Sequence, residues 1–377
     1  MATAARSAGA VLLITTLSLL GSVRPGLADR PRVVASHSVL CDLVEQIATD
    51  TIDLTCLMQP GDDPHVYQAR PSDRRAIETA DLVFYSGYNF EPSIIDMIVA
   101  TPNSAPKVAV GAMAVPRPIM GEHHHHGHDH GQGLSHDHGP GPSAGEEVGG
   151  PTLAHDHSHD HSHDHGDGGL MPDPHVWHNA RHGISMVLVI RRYLIDLMPD
   201  QRHGLHFHRN AQAIVDQLEV IDQWINDQIA TIPAEHRTLV TTHDALAYYG
   251  DAYGLTIESA LGSISTEASP SAARIAEMVD LVKELGVPTV FAEATSNPRL
   301  MTVLAREANV TLSDQPLHAD TLGEPGTAAA TYQGMLVTNT CTIVEGLGGR
   351  CDHSQVQALA RVGASGGLEG RPVPGRP

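Results

Sequence analysis

Histidine is the chemically loaded residue of this chain: 26 of the 377 residues, against 23 lysines and arginines together. Imidazole carries protons near neutral pH and ligates borderline transition metals, so an excess of this size points first to metal chemistry. Fourteen copies form one tract: His123, His124, His125, His126, His128, His130, His136, His138, His155, His157, His159, His161, His163 and His165. From His155 to His165 imidazoles alternate with Asp or Ser, a pattern that can hold several divalent ions weakly. Four further segments set a metal-competent side chain at or just beyond a strand end: Gly61-Asp62-Asp63-Pro64-His65, Asp173-Pro174-His175, Thr242-His243-Asp244 and His318-Ala319-Asp320. A single Pro-His in a turn is a weak signal and is usually structural. Its repetition within Asp-Pro-His at 63–65 and 173–175 strengthens it, because proline stiffens the loop and a nearby carboxylate can orient the ring's second nitrogen.

The elements that must position these segments alternate in type. Strands are expected at 32–36, 51–58, 81–87 and 107–111, with helices at 39–49, 71–80 and 91–100 between them. That rhythm predicts a parallel sheet covered by helices. It stops at residues 121–169, a stretch of Gly, Pro, His, Asp and Ser with nine acidic residues and no Lys or Arg. So little apolar surface cannot offset the entropy of ordering, and a mobile inserted loop is expected. Helices follow at 179–197 and 199–229. In the second, Ile214, Leu218, Ile221, Ile225 and Ile229 form one apolar stripe. At 1.5 Å per residue it reaches about 45 Å, enough to bridge two domains. Alternation then resumes, with strands at 238–242, 255–259, 289–292 and 310–312 and helices at 245–253, 271–285, 298–308 and 327–347. The expected fold is α/β, with two lobes, each a parallel sheet flanked by helices, joined by one long bridging helix. The parts are an N-terminal lobe (29–178) holding the loop, a helical linker (179–231), a C-terminal lobe (232–360) and a frayed tail (361–377). Ligands of open parallel sheets gather beyond the strands' carboxyl ends, so two residues from each lobe would meet across the cleft.

The formal charge of −21 argues against a nucleic-acid partner, which needs a positive surface. Residues 1–28 have the layout of a cleaved signal peptide: Arg6, a short apolar run from Val11 to Leu20, then small residues around Gly26-Leu27-Ala28. The run is shorter than the roughly 20 residues that span a bilayer, and a periplasmic location is expected. Val39-Leu40-Cys41 has the look of a lipid-attachment site but lies too far beyond that run, so lipidation there is rejected. Export permits disulfides among Cys41, Cys56, Cys341 and Cys351. Nearness in sequence favours 41–56 and 341–351, the first contributing about 3 kcal/mol if unstrained, but four cysteines allow three connectivities and buried free thiols are the alternative.

GDDPH-Y---PSD around His65 and Tyr67, DPHVW around His175, THDA--YY around His243 and ADTLGEPGT---TY from Ala319 run through almost the whole mature chain. In type and order they resemble the metal-binding solute-binding proteins of zinc/manganese ABC transporters, the cluster A-I family. The resemblance implies a C-clamp fold with one ion between the lobes, held by His65, His175, His243 and Asp320, and an ABC-transporter permease as partner. A periplasmic zinc metallochaperone is a candidate second partner, and the chain is expected to be a monomer. Three imidazoles and one carboxylate suit tetrahedral Zn2+ as the single tight cofactor, with additional weak sites in the His-rich loop. Manganese-selective members resemble this pattern but generally carry a second carboxylate.

His37, His178 and His318 flank these motifs and are read as local hydrogen-bonding residues. His182, His203, His206 and His208 are read as solvated on helix surfaces. Glu293 ends a strand near the cleft without being a ligand, and Asp244 and Asp314 are a helix-start and a loop residue. The leading function is a zinc receptor without catalytic residues. A manganese receptor of the same family and a zinc store or adhesin are the alternatives. A zinc hydrolase fits less well, because four protein ligands leave no position for water and no H-E-x-x-H motif occurs.

Overall fold

The computed structural model describes residues 30–122, 169–354 and 356. The proposed signal peptide, the fourteen tract histidines and the proposed tail lie outside the described residues. The first lobe is built on β1 (Arg32–Ala35), β2 (Asp53–Cys56), β3 (Leu82–Tyr85) and β4 (Lys107–Ala109), all parallel in the order β2-β1-β3-β4. Helices α1 (Ser38–Ala48), α2 (Pro71–Thr79), α3 (Pro92–Ala100) and the short α4 (Val110–Ala114) connect or follow these strands. Val33, Ala35, Leu82 and Phe84 are fully buried, as expected of strands covered on both faces.

The two ends of the inserted segment pair with each other. Strands β5 (Met120–Glu122) and β6 (Leu170–Pro172) pair antiparallel, Gly121 opposite Met171, so Gly121 and Glu122 belong to a strand and not to the expected loop. The apolar residues Met120, Leu170 and Met171 at its two ends are what distinguish the stem from the polar tract between them.

Two helices follow, α5 (Ala180–Leu197) and α6 (Gln201–Ile229). The Asn179 side chain accepts from the Arg181 amide at 2.9 Å, and Asp200 accepts from the Arg202 and His203 amides at 3.1 Å, so each helix starts on a side-chain cap. The five stripe residues of α6 are all buried, facing α5, α1 and the last helix. This is the long helix joining the two lobes.

The second lobe holds β7 (Thr238–Thr241), α7 (Ala247–Tyr253), β8 (Thr256–Ser259), α8 (Ala272–Leu285), β9 (Thr289–Val290), α9 (Arg299–Ala308), β10 (Thr311–Leu312) and α10 (Tyr332–Gly346). β7 pairs with β8 and β9 with β10, both parallel. The Phe291 amide donates to the Val240 carbonyl at 2.9 Å, stitching the two pairs into the order β8-β7-β9-β10. The lobes therefore repeat one strand order.

Helix α10 begins later than the expected residue 327. Residues 324–331 are turns that fold back under Gly323, whose amide donates to Ala329, and the Thr331 hydroxyl caps the helix from the Gly334 amide. Disulfides join Cys41 to Cys56, tying α1 to β2, and Cys341 to Cys351, tying α10 to the segment after it. His182, expected to be solvated, is half-buried, its ring edge-on to Tyr248 at 5.3 Å.

Helices α5 and α10 approach closely at Gly183, where a Cβ would lie 2.2 Å from the Tyr332 hydroxyl. Tyr332 is fully buried and donates to the Trp177 carbonyl at 2.6 Å. We expect Gly183→Ala to lower the unfolding free energy by about 1–3 kcal/mol in urea titration, because the ring cannot retreat without breaking that bond.

Candidate functional site

Four loops deliver one buried side chain each to a common point. His65 follows β2, His175 follows β6, His243 follows β7, and Asp320 follows the bridge that pairs Glu293 with Leu317. One ligand atom from each lies within 4.8 Å of the others, and none of the four side chains is more than slightly exposed. The His175 Nε2 atom is 3.2 Å from His65 Nε2 and 3.4 Å from His243 Nε2. Asp320 Oδ1 is 3.3 Å from His175, 3.4 Å from His243 and 3.7 Å from His65, in each case from Nε2. That oxygen has no hydrogen-bond partner among the described residues, although it is fully buried.

The rings point inward because their outer nitrogens are held. The His175 Nδ1–H donates to Asp173 Oδ1 at 2.7 Å, and the same oxygen accepts the His175 amide at 2.9 Å. The His243 Nδ1–H donates to Glu293 Oε2 at 2.5 Å, while Glu293 Oε1 accepts the amides of Thr242 and His243 at 3.1 and 3.0 Å. With Nδ1 protonated, each neutral ring presents a lone pair at Nε2. Asp320 is fixed through its other oxygen, which accepts from the Thr295 hydroxyl at 2.9 Å.

The two Asp-Pro-His motifs differ in use. Asp173 orients its histidine ring. Asp63 Oδ1 accepts the His65 amide at 3.0 Å but not its ring, and Asp63 Oδ2 accepts from the Thr266 hydroxyl of the second lobe at 2.7 Å. In the GDDPH-Y---PSD stretch, Tyr67 donates to Asp73 Oδ2 at 3.1 Å, and that oxygen also accepts the Arg70 amide at 2.7 Å where α2 begins at Pro71. This part of the motif shapes the loop and contributes no donor to the cluster. Trp177 Nε1 and His178 Nε2 both donate to the Ala319 carbonyl, at 3.1 and 2.8 Å, fixing the residue before Asp320.

Burial and neighbouring charges act in opposite directions within the cluster. Burial alone would lower the His175 and His243 proton affinities, but Asp173 and Glu293 respectively, each aided by Asp320, leave both raised. His65 has no such outer carboxylate, and burial leaves it lowered. Burial works against the Asp320 carboxylate, yet the three imidazoles, His243 foremost, hold it well below the ordinary carboxylate range. Three imidazole nitrogens and one carboxylate oxygen form a donor set for a cation.

Glu293, expected near the cleft, is the residue that orients His243. Asp63, Thr266 and Thr295 went unrecognised: their types are ordinary for loops, and only the Asp-x-His spacing hinted at Asp63. His318 bonds through its backbone to the Asn339 side chain, and the Asp244 amide donates to the Ser263 carbonyl at 2.8 Å. His37 is not the local hydrogen-bonding residue that was expected. Both its ring nitrogens are buried without a partner among the described residues, and the ring packs edge-on to Phe90 at 5.1 Å and beside Trp177 at 5.5 Å.

The family described as zinc-uptake complex component A, periplasmic, matches residues 33–346. The manganese-binding lipoprotein MntA of Bacillus subtilis is 30% identical over 347 residues, covering 90% of this chain and 98% of its own length. The manganese ABC transporter substrate-binding lipoprotein PsaA of Streptococcus mitis is 25% identical over 316 residues, covering 84% and 89%. The solved structure of the periplasmic zinc binding protein TroA from Treponema pallidum superposes with a TM-score of 0.67 at 27% identity, covering 84% of this chain and 99% of that one.

Burial lowers His37 and His178 from 6.5 to about 3. Below pH 6.5 the unfolded chain takes up protons at both that the folded chain does not, so stability falls as pH falls from about 6.5 toward 3. Each contributes about 1.4 kcal/mol per pH unit. In metal-free protein, His37→Phe is expected to keep or raise stability at pH 7 and to remove one proton's share of that acid slope, read by urea unfolding across pH 4–6.

Proposed function

Because this chain belongs to the zinc-uptake complex component A family of substrate-binding receptors, which are not enzymes, we propose that it is the extracytoplasmic receptor that captures zinc for an ABC importer. One ion sits between the lobes on His65, His175, His243 and Asp320 and passes to the membrane permease. The observation that carries this reading is the spacing of the donors. A tetrahedral zinc with bonds of about 2.0–2.1 Å places its ligand atoms about 3.3 Å apart. The separations around His175 Nε2 are 3.2, 3.3 and 3.4 Å.

A manganese receptor is the second reading, favoured by the names of the MntA and PsaA relatives. Manganese prefers more oxygen donors and a higher coordination number. Here the spare Asp320 oxygen is engaged by Thr295 and Glu293 by His243, so recruiting either would break a buried hydrogen bond. That argues for zinc. No helix among the described residues is long and apolar enough to cross a membrane. Cys41 is bonded to Cys56 inside the fold and is not a lipid-bearing residue, which supports a chain free in the periplasm after signal removal. The tract from His123 to His165 serves as a weak collecting segment, its stem leading through β6 directly to Asp173 and His175.

Competition between zinc and manganese for metal-free protein, read by native mass spectrometry, tests the assignment. One retained zinc that manganese does not displace is expected, and a retained manganese would overturn it. Asp320→Ala should weaken zinc binding by a factor of 100 or more. Affinity should fall with falling pH, since protons compete for the raised imidazoles of His175 and His243. Deleting residues 123–168 and joining β5 to β6 by a short turn should preserve the single tight equivalent and abolish the weak ones in isothermal titration.

A further inference from the structure

A second group of donors lies at the end of α10, on elements that carry none of the four converging side chains. The sulfurs of Cys341 and Cys351 and a ring nitrogen of His353 all lie within 4.8 Å of one another. We propose that the dithiol form of Cys341 and Cys351, together with His353, is a second metal site for a thiophilic cation such as zinc or cadmium, and that the disulfide keeps it closed.

The geometry suits such an ion. Cys341 Sγ is 3.8 Å from His353 Nδ1, and a tetrahedral zinc with bonds of about 2.3 Å to sulfur and 2.0 Å to nitrogen sets those atoms roughly 3.5 Å apart. The donors also stay together without the sulfur–sulfur bond. Cys341 is buried within α10, and the segment after it is pinned by hydrogen bonds independent of the disulfide. The Gly349 amide donates to Val344 at 2.8 Å and the Arg350 amide to the Thr231 hydroxyl at 2.9 Å. The Asp352 amide donates to Gln228 Oε1 at 2.7 Å, and Asp352's carbonyl accepts from Trp224 Nε1 at 2.7 Å. Reduction therefore leaves two thiols and an imidazole facing one another. His353 is exposed, so an ion can reach it and solvent can complete the coordination. Among the described residues the Cys41–Cys56 pair has no third donor in reach.

A dithiol reductant supplies two electrons and two protons to the sulfur–sulfur bond, becoming a disulfide itself while Cys341 and Cys351 become thiols. The cation then binds both sulfurs as thiolates, releasing their two protons to solvent, and takes the lone pair of His353 Nδ1 while Nε2 keeps its hydrogen.

The test uses the full chain, reduced with dithiothreitol, freed of reductant under anaerobic conditions and titrated with cadmium. Thiolate-to-cadmium charge transfer absorbs in the ultraviolet, and a site of imidazoles and carboxylates does not. The expected result is a band that saturates in the reduced chain, is absent from the oxidised chain and is lost or diminished in Cys341→Ser/Cys351→Ser. His353→Ala should weaken cadmium binding at least tenfold in chelator competition. Cadmium NMR of the wild-type chain reads the number of sulfur ligands with no variant, and two are expected. No band on reduction, a band unchanged in the double variant, an affinity indifferent to His353, or fewer than two sulfurs would overturn the proposal.

Discussion

The organising constraint is the burial of a carboxylate oxygen with no hydrogen bond of its own. Asp320 Oδ1 sits among three imidazoles at 3.3–3.7 Å, shut away from water. An isolated charge in that position would cost several kcal/mol, so the surroundings must make it tolerable. They do so in two tiers. The imidazoles offset the carboxylate directly, and Asp173 and Glu293 behind them raise the proton affinities of His175 and His243 against the effect of burial. Thr295, Trp177 and His178 hold the carboxylate's other oxygen and the preceding carbonyl, so the group cannot swing out to water.

The two lobes share a strand order but do not share a chemistry. β1 and β7 occupy equivalent places, and each is followed two residues on by a histidine, His37 or His243. In the second lobe Glu293, beyond β9, reaches the amides of Thr242 and His243 and the ring itself. In the first lobe Glu91, beyond β3, accepts instead from the Ser36 hydroxyl and the Ser86 amide, each at 2.7 Å, and leaves His37 alone. The first lobe supplies its donor from the loop after β2 instead. One architecture thus yields an oriented candidate donor on one side and an uncharged packing residue on the other.

Much of this was legible in the residues. The four candidate side chains stood out because three were histidines in stiff or strand-terminal contexts, and periodicity marked α6 through its apolar stripe. The alternation of apolar runs and turn residues located most strands to within two positions. What escaped was whatever depends on partners distant in sequence. Asp63 and Asp173 sit in identical Asp-Pro-His motifs, and only the fold decides that one orients a ring while the other reaches Thr266 across the lobes. The start of α10 was misplaced because Thr327–Ala330 has good helix propensity locally, yet Gly323 claims the Ala329 carbonyl. The family resemblance singled out the four candidate side chains together, and composition alone would not have done so.

The β5–β6 stem has a consequence for how this chain can change. Its two strands hold Glu122 opposite Leu170, so the ends of the segment between them are already fixed. The entropy of closing a flexible segment between fixed ends grows only as the logarithm of its length, about 0.6 kcal/mol for each doubling. Histidines can therefore be added or lost between those strands in large numbers while the register leading from Pro172 to His175 stays the same. The composition of that segment and the geometry of the cluster are thereby uncoupled, and each can be tuned without disturbing the other.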